Sequence, residues 1–216
     1  VVNSDLGLVA SIPYFQVIDD TRDVEFTPYV FQHRGKAVRT RYRQNWDNSE
    51  AGVSIITANV ETYKKRRENV ASIDASYGAR IGDGWNVDAR LQRSTQDTFL
   101  RRYNFDGETK LQSSVVAERL KPDRYYRVEA SDIQGLNAAD TPEKEPTVLP
   151  HVFYEKVSPG LRPGQRIKTE ISAIQVDNDD QHDLSRWVGN VELHDEIRAG
   201  RVVTDLRAGA VGSYYS

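Results

Sequence analysis

Apolar and polar positions alternate with a period of two along nearly the whole chain. Ile73, Ala75, Tyr77, Ala79 and Ile81 interleave with Ser72, Asp74, Ser76, Gly78 and Arg80. Val87, Ala89 and Leu91 alternate with Asn86, Asp88, Arg90 and Gln92, and Val38, Thr40 and Tyr42 with Arg39, Arg41 and Arg43. Ile167, Thr169, Ile171 and Ala173 oppose Arg166, Lys168, Glu170 and Ser172. Successive side chains of a strand point to opposite faces, so each segment has one apolar and one charged face. The pattern predicts about twelve strands, at 6–17, 24–32, 37–46, 52–63, 71–81, 85–94, 111–120, 125–133, 148–157, 166–176, 186–197 and 202–215. Most exceed the globular mode of roughly 5–6 residues and match the roughly 9–11 that cross a membrane at a tilt.

The connections alternate in length. Gly82-Asp83-Gly84, 121–124 and 198–200 carry tight hairpin chemistry, whereas 64–70, 95–110, 134–147 and 177–185 are longer and charged. Short turns on one rim and longer loops on the other mark outer-membrane barrels. Two connections depart from the rule, since 158–165 is long for its side and 33–35 short. The expected fold is all-β, an antiparallel up-and-down meander forming part of a large outer-membrane-type barrel, with 1–216 as a single partial-barrel domain. A water-soluble antiparallel sandwich or β-solenoid also alternates polar and apolar residues, and that reading stays open at this point. In its favour, the apolar faces are rich in Ala, Thr and Gly.

Composition removes several classes. No stretch approaches the roughly 18 apolar residues of a spanning helix. The net charge of −3 lacks the basic excess that phosphate backbones demand, so no nucleic-acid partner is expected. The chain has no cysteine, which removes disulfides, thiolate zinc sites and cysteine nucleophiles. It has no methionine either, so the numbering is expected to begin inside a longer or processed precursor.

Candidate chemistry is sparse. His33, His151, His182 and His194 are scattered without metal-ligand spacing. The acidic run 177–183 lacks the glycine and glutamate of an EF-hand loop, having His182 and Val188 at those positions. No nucleophile elbow or phosphate-cradling loop occurs, so the expectation is a non-enzymatic protein with no catalytic residues, no metal and no cofactor. The charged faces nominate Arg39, Arg41, Arg43, Asp74, Asp88, Arg90, Glu129, Lys168 and Glu170 as lumen-lining candidates, a solvated surface being the plainer alternative. Arg39, Arg41, Arg43, Asp88 and Arg90 are expected on the concave side, with Val38, Tyr42, Val87, Ala89 and Leu91 on the convex side. Trp46, Tyr63, Trp85, Tyr125 and Tyr126 stand near strand ends, as interfacial girdle residues do. Pro13 and Pro28 lie inside segments that otherwise read as strands, where each removes a ladder donor.

The run Asp5-Leu6-Gly7-Leu8-Val9-Ala10-Ser11-Ile12-Pro13-Tyr14-Phe15, followed by Asp23-Val24-Glu25-Phe26-Thr27-Pro28-Tyr29-Val30, resembles the barrel entry of the LPS-assembly protein LptD family. The Arg34-Gly35 turn, Tyr42-Arg43, Gly84-Trp85-Asn86-Val87-Asp88, Asp97-Thr98-Phe99-Leu100-Arg101-Arg102-Tyr103 and Pro146-Thr147-Val148-Leu149-Pro150 extend the likeness. The most specific motifs lie in the first 105 or so residues. The resemblance implies a Gram-negative outer-membrane translocon that assembles lipopolysaccharide into the outer leaflet through a barrel lumen and lateral gate. It implies lipopolysaccharide, outer-membrane lipid, the plug lipoprotein LptE and the periplasmic bridge protein LptA as partners. It also implies Pro13 and Pro28 as lateral-gate candidates, at a seam where first and last strands meet. A generic outer-membrane porin or transporter ranks below it because of the proline context.

Overall fold

The computed structural model describes residues 2–3, 6–62, 64–138, 140, 147–177 and 183–216. Of the described residues, 76% are strand and 2% helix. In chain order the elements are β1 (Val2–Asn3), β2 (Gly7–Ser11), β3 (Tyr14–Asp19), β4 (Arg22–Phe31), β5 (Gly35–Trp46), β6 (Ser49–Glu61), β7 (Arg67–Ile81) and β8 (Trp85–Ser94). After a one-turn helix, α1 (Phe99–Arg102), come β9 (Lys110–Lys121), β10 (Arg124–Gly135), β11 (Thr147–Pro159), β12 (Gln165–Asp177), β13 (Leu184–Ala199) and β14 (Val202–Tyr215). Sequential strands are neighbours in one sheet, with β3 pairing β4 beside the main path. The alternation therefore specified the fold: an all-β antiparallel meander.

Three local departures have physical causes. The segment 6–17 is not one strand but two, β2 and β3, interrupted at Ile12-Pro13. Both halves keep one register on β4, from Ser11↔Tyr29 to Tyr14↔Phe26, so the prolines break the ladder without shifting it. The strand β7 starts at Arg67, which leaves a short 62–66 turn where a longer loop was expected. Thr62 holds that turn, accepting at its backbone carbonyl from Lys65 and donating from its backbone N–H to the Arg66 carbonyl at 2.8 Å. Finally, β11 carries a register shift between Val148 and His151, at Leu149-Pro150, where a proline cannot donate to the ladder.

Packing divides the chain into two compact units. The first comprises Val1–Arg80, Val87–Val115 and Asp132–Glu145, the second Ile81–Asn86, Val116–Ser131 and Pro146–Ser216. In the first unit Leu6, Phe31, Ala37, Ile56, Val60, Val70, Phe99, Leu100, Tyr103, Leu111 and Leu136 form a single buried cluster. Gly35 closes the turn beside it with φ +115°, and a Cβ there would lie 2.1 Å from the Asn59 carbonyl oxygen. Only glycine fits.

The second unit is different in kind. Among its described residues no hydrophobic side chain is buried. Register fixes its two faces. Glu129, His151, Glu155, Lys168, Glu170, Asn190 and Glu192 share one; Val128, Val152, Ile171, Trp187, Val191, Leu206 and Tyr214 share the other. All seven of the latter are exposed large hydrophobics.

Candidate functional site

Cross-strand registration assembles the charged face of the first unit row by row. One row reads Glu25, Arg41, Ser54, Asp74 across β4 to β7, and Arg90 completes it by donating to Asp74 at 3.0 Å. The rows on either side read Asp23, Arg43, Gly52, Ser76 and Thr27, Arg39, Ile56, Ser72. Opposite charges on facing strands attract, so the alternation of sign along a row stabilises the sheet as well as colouring its surface. Arg43 Nε donates to Asp23 at 2.9 Å, while Arg39 and Arg41 share the single carboxylate of Glu25 at 4.0 and 3.6 Å. Arg39 lies over the Tyr29 ring at 5.6 Å, and its buried Nε has no hydrogen-bond partner.

These rows line a cavity of about 480 Å³ walled by Arg39, Arg41, Arg43, Asp74, Arg90 and Asp106, with Ser54, Ser72, Ser76 and Gln92 between them. Its apolar side comes from Leu100, Phe105 and Leu111. Asp88 is on the same face, its carboxylate beside Gly78 and Glu50. All six candidates of the first unit are thus brought to one face. Val38 and Leu91 stand exposed on the opposite face, in agreement with the alternation. Glu129, Lys168 and Glu170 occupy the charged face of the second unit: Glu129 pairs with Arg127 at 3.0 Å, and Lys168 with Glu170 and Glu155 at 2.8 and 3.2 Å.

The cavity's cover was not legible as such. The loop 95–109 turns back onto the charged face's own side, where β4 to β7 become apolar at Phe31, Ala37, Ala58, Val60 and Val70. Phe31 meets Tyr103 edge-on at 4.8 Å, and Tyr29 meets Phe105 edge-on at 5.0 Å. The Tyr103 hydroxyl donates to the Glu61 carbonyl at 2.7 Å. Burial pushes that phenol's pKa above its ordinary value. Arg101 donates to Asn137 at 2.7 Å, and Gln134 to the Ser94 carbonyl at 2.7 Å, tying the loop down on its far side. Four apolar residues, Phe99, Leu100, Tyr103 and Phe105, in an otherwise charged connection were the available signal. Gln92 was missed altogether; buried, it donates to Asp74 at 3.1 Å and accepts from the Gln112 N–H at 3.2 Å.

The two prolines act on opposite sides of the first strand. Gln32 N–H donates to the Leu8 carbonyl, and Asn45 N–H to the Thr21 carbonyl. In an antiparallel ladder bonding alternates, so even residues of β4 bond toward β2 and β3, and odd ones toward β5. Pro28 therefore faces Ile12, whose carbonyl lacks that donor. The nitrogen of Pro13 points away from β4, toward the strand's other edge. Both prolines read alike in the sequence; in the β2/β3–β4 ladder it is Pro28 that removes the bond.

Of the aromatic candidates, Trp85 and Tyr126 lie 6.1 Å apart, Tyr154 continues the row at 5.1 Å, and Arg119 covers Trp85 at 5.9 Å. Trp46 is exposed at the end of β5. Tyr125 departs from this set: it is on the charged face, donating its hydroxyl to Glu118 at 2.7 Å. Tyr63, and the acidic run apart from Asp177 and Asp183, lie outside the described residues, as does His182. Among the described residues no group of three His, Cys, Asp or Glu could hold a metal. At the 82–84 turn, a hydrogen bond from Lys121 and the neighbouring Arg119 hold the Asp83 carboxyl below its ordinary pKa.

No family model matches this chain, and no curated protein matches it in sequence.

Proposed function

We propose that this chain is wall of an outer-membrane β-barrel in a translocon that assembles lipopolysaccharide into the outer leaflet. The observation that carries the membrane part is the second unit: a sheet with one charged and one apolar face that buries no hydrophobic side chain among its described residues. Apolar surface left in water is unfavourable by roughly 25 cal/mol per Å², and contiguous patches of this kind mark a contact with membrane or protein. Hydrocarbon on the apolar face and a hydrated lumen on the charged face resolve both demands.

The lipopolysaccharide part is supported by the resemblance at 5–30 and 84–103 and by the charged cavity. The guanidinium groups of this face, two of which share the Glu25 carboxylate, suit phosphorylated sugars through charge-assisted bonds, and the apolar cover suits their lipid portion. The role is transport rather than catalysis. On this reading LptE and LptA are the plug and bridge partners, and the location is the Gram-negative outer membrane. Site-specific photocrosslinking tests it. A crosslinker in place of Arg41 should capture lipopolysaccharide in growing cells, whereas one in place of Ile171 should capture bulk membrane lipid. Absence of lipopolysaccharide at Arg41 would overturn the transport reading, and a detergent-free monodisperse monomer would overturn the wall reading.

The same reading makes the first strand the gate. Pro28→Ala restores a donor to the Ile12 carbonyl, a bond contributing roughly 0.5–1.5 kcal/mol net. Delivery of lipopolysaccharide to the surface should slow, with barrel folding intact, and a disulfide engineered between β2 and β4 should form faster. Pro13→Ala restores a donor on the other edge, so it should slow delivery without changing the β2–β4 crosslink. Unchanged delivery in both variants would make them ordinary strand prolines.

A further inference from the structure

The outward face of the first unit carries a groove of about 620 Å³, a volume in the range of roughly 300–1,000 Å³ typical of small-ligand sites. It is separate from the charged cavity, and its β4 edge, Pro28, Tyr29 and Val30, is shared with the first ladder. Register explains its form. Val38, Thr57 and Ala71 stand side by side across β5, β6 and β7, and the last two are too short to fill the surface. Two residues further along, about 7 Å of strand, Ile55 and Ile73 continue the apolar surface. Two residues the other way the row becomes polar: Lys36, Asn59 and Asn69.

That polar row has unspent capacity. Asn59 donates to Asn69 at 2.7 Å, and the Asn69 amide donor has no partner among the described residues. Lys36 lines the groove, is exposed, and has no ion-pair partner among the described residues. A hydrocarbon body ending in an unpaired ammonium and an amide donor is complementary to an acyl chain headed by an anion. We infer that this groove holds one acyl chain of an anionic membrane lipid, with Lys36 meeting the head group. The inference rests on the membrane-wall reading, because only there does the outward face meet lipid.

Fluorescence quenching by brominated lipid tests it in the intact protein, with the native tryptophans replaced by phenylalanine. Ile55→Trp reports on the apolar surface that continues from the groove, two residues from Thr57, and Leu91→Trp on the same outward face away from it. Each is reconstituted in mixed vesicles in which either phosphatidylglycerol or phosphatidylcholine carries bromine on its acyl chains. The expected result is an about five-fold preference for phosphatidylglycerol at residue 55, the weight of one cation at an anionic lipid surface. Residue 91 should show no preference. Adding Lys36→Gln should abolish the preference at residue 55, Lys36→Arg should keep it, and Ala71→Phe should remove it by filling the groove. Quenching at both positions with no preference, or a preference that survives Lys36→Gln, would overturn the groove proposal and leave the wall reading standing. No quenching at either position would overturn both.

Discussion

Ile171→Arg is expected to destabilise the membrane-folded protein by about 2–4 kcal/mol, the depth-dependent weight of a cation on the lipid face of a barrel. Ile171 lies in the middle of β12, flanked in register by Tyr154 and Gly189, and 46% of it is exposed. On a water-facing sheet the same change would stay within about 0.5 kcal/mol, as surface substitutions do. The two outcomes are separated by several-fold in free energy, so equilibrium urea unfolding from vesicles decides between them. Ser172→Arg, one residue along and on the charged face, is the control and should stay within about 0.5 kcal/mol in the same assay. If both variants behave alike, the apolar face of the second unit does not meet lipid.

The second large effect is expected at the cover of the charged cavity. Phe99 is 1% exposed and packs against Tyr103 and Phe105 at centroid distances of 5.6 and 5.5 Å. Phe99→Ala should cost about 3–5 kcal/mol, since it removes a whole ring and leaves a void in the buried cluster beside Tyr103 and Phe105. The helix α1 is one turn long and cannot persist without that packing. Residues 95–109 should then lose hydrogen-exchange protection and become open to proteases, while β12 to β14 remain protected. Tyr103→Phe should cost only about 0.5–1.5 kcal/mol, for the hydroxyl's bond to the Glu61 carbonyl. Because burial raises the Tyr103 pKa, the stabilisation from its neutral hydroxyl is complete below the ordinary tyrosine value near 10 and falls away as pH rises through the raised one. Retained protection of 95–109 in Phe99→Ala would show that Arg101–Asn137 and Gln134–Ser94, not the aromatic cluster, hold the cover.

Particular residues show how much was legible. Strand facing is a local property, because each Cβ alternates with its neighbour. Arg39, Arg41 and Arg43 were therefore assignable to one face from β5 alone, and Glu129, Lys168 and Glu170 to one face from their own strands. Tyr125 and Tyr126 show the limit: both stand near a strand end, yet adjacency puts them on opposite faces, and only Tyr126 joins Trp85 and Tyr154. Alternation also gives each face one polarity along its whole length, which is wrong for β4 to β7. The face that carries Arg41 and Asp74 changes from charged at those residues to apolar at Phe31, Ala58, Val60 and Val70, and a loop whose Tyr103 reaches Glu61 and Arg34, 42 and 69 residues away in sequence, covers it. No periodicity of period two encodes that contact.

By itself, then, the sequence determined the secondary structure, the antiparallel order and the separation of charged from apolar faces, since all three follow from side-chain direction and from turns joining neighbours. It also nominated Pro13 and Pro28, whose missing donors are a covalent fact. The tertiary structure decided what depends on register and on long-range contact. Register placed Pro28 against Ile12, turned Pro13 to the other edge, and set Arg41 and Arg90 in one row with Asp74. It also aligned Lys36 with Asn59 and Asn69 above two side chains too short to fill the surface. Long-range packing folded Phe99, Tyr103 and Phe105 onto the apolar end of the charged face and left no hydrophobic side chain buried among the described residues of the second unit.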